Sequence, residues 1–310
     1  MIKTIVTTKM PVDERLRIRK NRIASGRGKK RICIVTGTHG DELEGQYVCF
    51  QLCEIFKKFP EYLRGTVDLY PALNPLGIDS ITRGIPNFDL DMNRIFPGDS
   101  NGSMAESTAW HVINDMRGAD MAIDIHSSNI FLREVPQARI SDLTAKKLTP
   151  YAKLLNLDFI WIHNAATVLE STLAHSLNSA GTPTLVVEMG VGMRINRKYC
   201  NRLVSGILNL MREIGMWKGP AREEVYPEAK LSTDGSVIFI NAKASGVFIH
   251  TIDHSMYVEK GQEIGRIVDP LAGDVLHTIC AEEKGFVFTL RAYPIVYEGS
   301  LIARIYQSKK

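Results

Sequence analysis

His39, Glu42, His126 and Glu188 are the residues of this chain whose types and spacing could do hydrolytic chemistry. The run Ile32-Cys33-Ile34-Val35 ends in Thr36-Gly37-Thr38, and His39-Gly40-Asp41-Glu42 follows at once. A neutral nitrogen donor and an anionic oxygen donor, three positions apart, then stand at the C-terminal end of a buried strand. Open α/β sheets build their sites at that end. The pair suits two of the three protein ligands that a hydrolytic zinc takes while keeping one position for water. A third ligand should come from a second strand end. Met121–Ile125 is apolar and delivers Asp124-Ile125-His126 to the polar Ser127-Ser128-Asn129. Asp124 could hold the ring of a ligating His126 through its other nitrogen.

Each residue also has a bland reading. A lone histidine after a strand is commonly a cap or a surface group. The His-Gly-Asp-Glu context argues against that for His39, because Gly40 permits close backbone approach and Glu42 adds charge. His126 lacks a tight local motif, so spacing alone leaves ligand and surface residue both open. Hydrolysis needs a base near the attacking water. Glu188 ends the apolar run Thr184-Leu185-Val186-Val187, and a carboxylate there is costly unless it is paired or functional. The alternative is a glutamate facing solvent. Two arginines, Arg83 and Arg94, lie in a long polar stretch. An arginine fork matches a carboxylate, Asn93 adds a hydrogen bond beside Arg94, and a second arginine near zinc could stabilise an oxyanion. Salt bridges to Asp89, Asp91 or Asp99 are the competing use. The other histidines, at 111, 163, 175, 250, 254 and 277, are left outside the site.

These residues need a scaffold, and strand–helix alternation supplies one. Residues 1–24 read as a hairpin. Strands are expected at Arg31–Thr36, Thr66–Ala72, Met121–Ile125, Phe159–Ile162 and Thr184–Val187. Helices are expected at Leu43–Lys58, Glu106–Arg117, Leu143–Leu155, Leu169–Asn178 and Arg197–Ile214. The alternation implies a mostly parallel sheet covered on both faces. Asn74 to Asn101 reads as one long loop, a length that usually carries function. Near Gly219 the character changes, and residues 225–310 read as a small all-β domain after a linker.

The bulk properties exclude some classes. With 310 residues, 45% apolar and 23% charged, the chain can pack a core, and a net charge of +4 gives little drive toward nucleic acid. The basic cluster Arg27–Arg31 reads as a solvated turn. Five cysteines without a C-x-x-C pair suggest a reducing compartment. Met1-Ile2-Lys3-Thr4 does not begin a signal peptide, and no apolar run nears a membrane span. A cytoplasmic protein with no membrane partner is the expectation.

His39-Gly40-Asp41-Glu42, Asn74-Pro75-Leu76-Gly77, Asp91-Met92-Asn93-Arg94, Asp124-Ile125-His126 and Gly181-Thr182-Pro183 leading to Glu188-Met189-Gly190 occur in one order. In that order and context the chain resembles the succinylglutamate desuccinylase/aspartoacylase family of zinc carboxypeptidase-like hydrolases. The likeness spans about residues 30–215. It implies a carboxypeptidase-like α/β fold, with a mixed sheet flanked by helices over residues 1–218. It also implies one zinc per chain on His39, Glu42 and His126. Glu188 would then be general base and proton donor, Asn93 and Arg94 would hold a substrate carboxylate, and Arg83 would polarise the scissile carbonyl. The family often has Leu at the Met92 position, and Arg83 stands further before Asn93-Arg94 than in aspartoacylases proper.

Residues 225–310 resemble the β domain appended to bacterial members, with a biotinyl/lipoyl-like look around Val258–Gln262. A carrier domain would need a lysine at its hairpin tip, and Asp269–Asp274 has none. The expectation is a zinc-dependent deacylase of an N-acyl amino acid or related small carboxylate. Its rivals are a zinc carboxypeptidase acting on peptides or cell-wall fragments, and a non-catalytic carboxylate-binding protein. A homo-oligomer is left open.

Overall fold

An antiparallel hairpin of β1 (Ile2–Lys9) and β2 (Arg15–Ala24) opens the chain, as its alternation predicts. The computed structural model describes residues 1–86, 88–164, 170–220 and 224–307. Strands and helices then alternate: β3 (Arg31–Thr36), α1 (Glu44–Lys58), β4 (Thr66–Tyr70), α2 (Pro75–Ser80), α3 (Met104–Met116), β5 (Met121–Ser127), β6 (Leu132–Ser141), α4 (Asp142–Ala152), β7 (Phe159–His163), α5 (Leu173–Ser179), β8 (Thr184–Gly190) and α6 (Arg197–Glu213). Beyond α6 the described strands are β9 (Lys230–Thr233), β10 (Val237–Asn241), β11 (Gly246–His250), β12 (Met256–Val258), β13 (Glu263–Asp269), β14 (Asp274–Cys280), β15 (Gly285–Arg291), β16 (Ile295–Val296) and β17 (Leu301–Tyr306). The fold is α/β, with a large mixed sheet flanked by helices and a separate antiparallel sheet.

Thirteen described strands share the large sheet. Its centre, β4–β3–β5–β8, is parallel, and β2 and β6 flank it antiparallel. The far edge of β6 serves two partners. Leu132–Glu134 pair with β15, which leads on to β17 and β10, while Gln137–Ser141 pair with β7. Strands β14, β13, β11 and β16 form the second sheet. The C-terminal strands are therefore split between a sheet of their own and an extension of the sheet that carries the site. The tip between β13 and β14, residues 270–273, carries no lysine.

Burial on both faces explains the near-continuous apolar strands. Ile32 and Ile34 of β3 enter one core with Val48 and Leu52 of α1 and Leu203 and Ile207 of α6. Cys33 and Val35 enter the other, with Ala109 and Val112 of α3 and Leu173 of α5. The same parity runs through the neighbours. Met121, Ile123 and Ile125 of β5, and Leu185, Val187 and Met189 of β8, face the α1–α6 core. Side chains alternate along a strand, so Asp124, His126 and Glu188 share the opposite face.

The helices start and seat themselves by local chemistry. Ser103 and Glu106 form a reciprocal capping box on α3. The Asn196 side chain accepts from Lys198 N and Tyr199 N to cap α6. Gly206 lets α6 lie on the turn after α4, for a Cβ there would fall 2.2 Å from the Leu155 carbonyl. Gly206→Ala should therefore cost about 1–3 kcal/mol, read as a lower urea midpoint; an unchanged midpoint would refute that packing.

Two sequence expectations are refined. The stretch from Asn74 to Asn101 holds the short helix α2 and a 3-10 turn at Met92–Arg94. The helix expected over Leu169–Asn178 is observed from Leu173, and residues 165–169 lie outside the described residues. All five cysteines are free thiols. No described helix is long and apolar enough to cross a membrane.

Candidate active site

The turn that carries His39 and Glu42 is seated by α2. Asn74 caps that helix by accepting from Gly77 N at 2.9 Å, and its amide donates to Gly84 O at 3.0 Å. A Cβ on Gly40 would fall 2.0 Å from the Gly77 carbonyl carbon, so only glycine lets the two segments touch. Gly40 N in turn donates to Arg83 O at 3.3 Å. The Asn-Pro-Leu-Gly segment thus clamps the His39–Glu42 turn and the start of the arginine loop together.

His39, Glu42 and His126 meet although 84 positions separate the last two. Each offers a donor atom within 4.8 Å of the others, and all three side chains are buried. Both imidazoles turn Nδ1 inward: His39 Nδ1 lies 2.8 Å from Glu42 Oε1, and His126 Nδ1 lies 2.9 Å from Glu42 Oε2. Ser127 N also donates to Oε2 at 3.1 Å. The outer nitrogens meet carboxylates. His39 Nε2 is 3.0 Å from Asp91 Oδ1. His126 Nε2 is 3.1 Å from Asp124 Oδ2, an ion-pair distance without hydrogen-bond alignment.

Burial alone would raise the Glu42 carboxyl, but His126 and His39 hold it far below the carboxylate range. Burial likewise opposes charge on His126, yet Asp124 and Glu42 raise its pKa well above the usual imidazole value. Glu42 therefore sits as a carboxylate between two imidazoles. Two imidazole nitrogens, one carboxylate and an outer carboxylate for each ring make a donor set that fits catalytic zinc. A dication there would displace the shared protons.

Glu188 stands beside His126, its register partner across β5 and β8, on the same face. Burial lifts its carboxyl above the ordinary range, and Arg139 and His126 pull it back. Arg139 Nη1 lies 3.9 Å from Glu188 Oε1. Both line a cavity of about 330 Å³ together with His39, His126, Arg83 and Arg94. Arg83 donates to Glu42 Oε1 at 3.0 Å and reaches Asp91 at 3.5 Å. It thus sits at the cluster and is also tied to one loop acid, Asp91. Arg94 is exposed and donates to its neighbour's carbonyl, Asn93 O, at 2.8 Å. Asn93 Oδ1 accepts from Leu173 N at 2.9 Å, which joins the arginine loop to α5.

The cavity includes residues that the sequence reading left out. His163 ends β7 and His175 stands in the first turn of α5, and both line the wall. No local motif marks either; they arrive because β7 and α5 flank the same opening. Asn178 and Ser179 of α5 join them. Among the polar residues after His126, Arg139 reaches this cavity, Gln137 is buried, and Arg133 faces a separate one near Asp253.

The chain is similar to known proteins in sequence and fold. Residues 28–214 match the sequence model of the succinylglutamate desuccinylase/aspartoacylase catalytic domain. An N-alpha-acetyl-L-2,4-diaminobutyric acid deacetylase from Halomonas elongata is 25% identical over 297 residues, covering 90% of this chain and 83% of that protein. The product-bound ectoine utilization protein EutE (DoeB) from Ruegeria pomeroyi superposes with a TM-score of 0.82 at 21% identity, covering 98% of this chain and 93% of that one. A succinylglutamate desuccinylase/aspartoacylase from Rhodobacter sphaeroides gives a TM-score of 0.83 at 20% identity, covering 100% and 95%. These likenesses in fold extend past the matched catalytic segment into the C-terminal strands.

Proposed function

This chain belongs to the succinylglutamate desuccinylase/aspartoacylase family, and on that premise we propose that it is a zinc-dependent amidohydrolase that deacylates a small N-acyl amino acid. The observation that carries the reading is the convergence of His39 Nδ1, Glu42 and His126 Nδ1. Glu188 stands one strand away on the wall of the same cavity. Zinc held by those three residues would act as a Lewis acid and would bring the pKa of water there down to about 7.

The chain's own residues supply the rest. Glu188 takes the proton from the attacking water and delivers it to the leaving amine nitrogen. Two factors suit it to both tasks: burial favours its acid form, and the nearby guanidinium of Arg139 favours its base form. Arg83 stands at the cluster and offers N–H donors to negative charge developing on the carbonyl oxygen. Arg94, with the Asn93 amide beside it, grips the substrate carboxylate and sets which bond reaches Glu188. Asp91 and Asp124 orient the two imidazoles.

A panel of N-acetyl and N-succinyl amino acids, assayed for free amine with zinc-loaded protein, tests the reading. Turnover of at least one is expected. Turnover of peptides from the C-terminus with none of the acyl amino acids would replace it by the carboxypeptidase. On the preferred substrate, Arg94→Met should raise KM about 10–100-fold, the worth of a hydrogen-bonded ion pair, with a smaller change in kcat. An unchanged KM would remove Arg94 from carboxylate binding.

A further inference from the structure

Glu134 and Arg139 are five residues apart on β6, and strict alternation would put them on opposite faces. The structure puts them together. The register of β6 against β8 shifts between Glu134 and Gln137, and that irregularity reverses the parity. Arg139 Nη2 then donates to both Glu134 oxygens, at 2.9 and 3.0 Å.

Glu134 is 1% exposed and is held from its other side by β15 and β17. Glu134, Thr289 and Arg304 are register partners across the adjacent strands β6, β15 and β17. Arg304 Nη1 donates to Glu134 Oε1 at 2.6 Å across this row, and Thr289 Oγ1 lies 3.4 Å from the same oxygen. The guanidinium carbons of Arg139 and Arg304 lie 5.7 and 5.6 Å from the ring centroid of Trp161. A carboxylate, two guanidinium groups and an indole thus meet beside the cavity, and Arg139 Nη1 lies at an ion-pair distance of 3.9 Å from Glu188 Oε1.

We infer that Arg304 and Glu134 are positioning residues for the reaction: they fix Arg139, and Arg139 fixes the carboxylate of Glu188. The inference rests on the deacylase reading through the role of Glu188. Buried ion pairs add little stability over apolar packing of the same volume. A row of them that ends at the proposed base is therefore better explained by orientation than by stability. Thr289 and Arg304 also lie outside residues 28–214, the segment matched to the catalytic domain. The C-terminal strands thereby become part of the site's support.

Arg304→Met removes the anchor without touching the cavity, and Arg304→Lys keeps the charge. In zinc-loaded protein Arg304→Met should lower kcat about 10–100-fold, the scale of a misplacement near 1 Å, with KM changed less than about threefold. Arg304→Lys should restore most of the loss, which a merely structural role would not require. Arg304→Gln, uncharged but still polar, carries the same comparison if the Met variant does not fold. Wild-type kcat in a folded Arg304→Met, or in the Gln variant used in its place, would overturn the inference. So would a loss that Lys does not restore. A crystal structure of the uncharged variant separates this from the function itself. Arg139 and Glu188 should move from their present separation; if both stay in place the positioning role fails, whatever the enzyme turns over.

Discussion

Glu188→Gln should reduce kcat about 10²–10⁴-fold, the range that general acid–base catalysis contributes, with zinc content and thermal midpoint close to those of the parent. The substitution keeps volume but removes the ability to carry a proton between water and amine, together with the charge that faces Arg139 at 3.9 Å. Glu188 is not among the three converging donors, so metal content should hold. The pH profile gives a second readout. A base must be ionised, so kcat/KM falls as pH drops through its pKa. Burial shifts that limb upward from the ordinary glutamate range, while Arg139 and His126 oppose the shift. A bound dication also favours the ionised form. The residual activity of the Gln variant should lack the limb. Unchanged turnover at full zinc content would sink the mechanism.

His126→Ala is the second large effect. It removes one of three donor atoms, and it strips Glu42 Oε2 of its 2.9 Å imidazole partner, leaving Ser127 N on that oxygen. Loss of an outer carboxylate around a metal-bound histidine typically costs 10–100-fold in affinity or activity. Loss of the ligand itself should exceed about 100-fold in zinc affinity, measured by competition with a chromophoric chelator. Activity should fall with occupancy. A His126→Ala protein that keeps stoichiometric zinc would mean that the third ligand lies elsewhere.

Much of the site was legible because it is built from strand ends. Ile32–Val35 is apolar at every position, which needs cover on both faces, and the chain past such a strand delivers His39 and Glu42 where sites form. Met121–Ile125 and Thr184–Val187 repeat the pattern. Their register then places His126 beside Glu188. The clamp between Gly40 and Gly77 was visible as two motifs but not as one contact. Nothing local says that a Cβ at Gly40 would strike the carbonyl of Gly77.

What escaped sequence reading has a common cause. His163 and His175 occupy a strand end and a helix start without a motif, and only the packing of β7 and α5 around one opening brings them to the cavity. The contact of Arg139 with Glu134 escaped as well, because Glu134 stands at the wrong parity until the register shift in β6 corrects it. Residue types and the order of strand ends were enough to single out His39, Glu42, His126 and Glu188 as candidates and to carry the resemblance to the family, because those depend on chemistry carried over a few neighbouring positions. The cations that surround Glu188, and the C-terminal arginine that holds one of them, were decided by tertiary structure. A sheet joins strands far apart in sequence, and the register of that joining fixes which side chains meet.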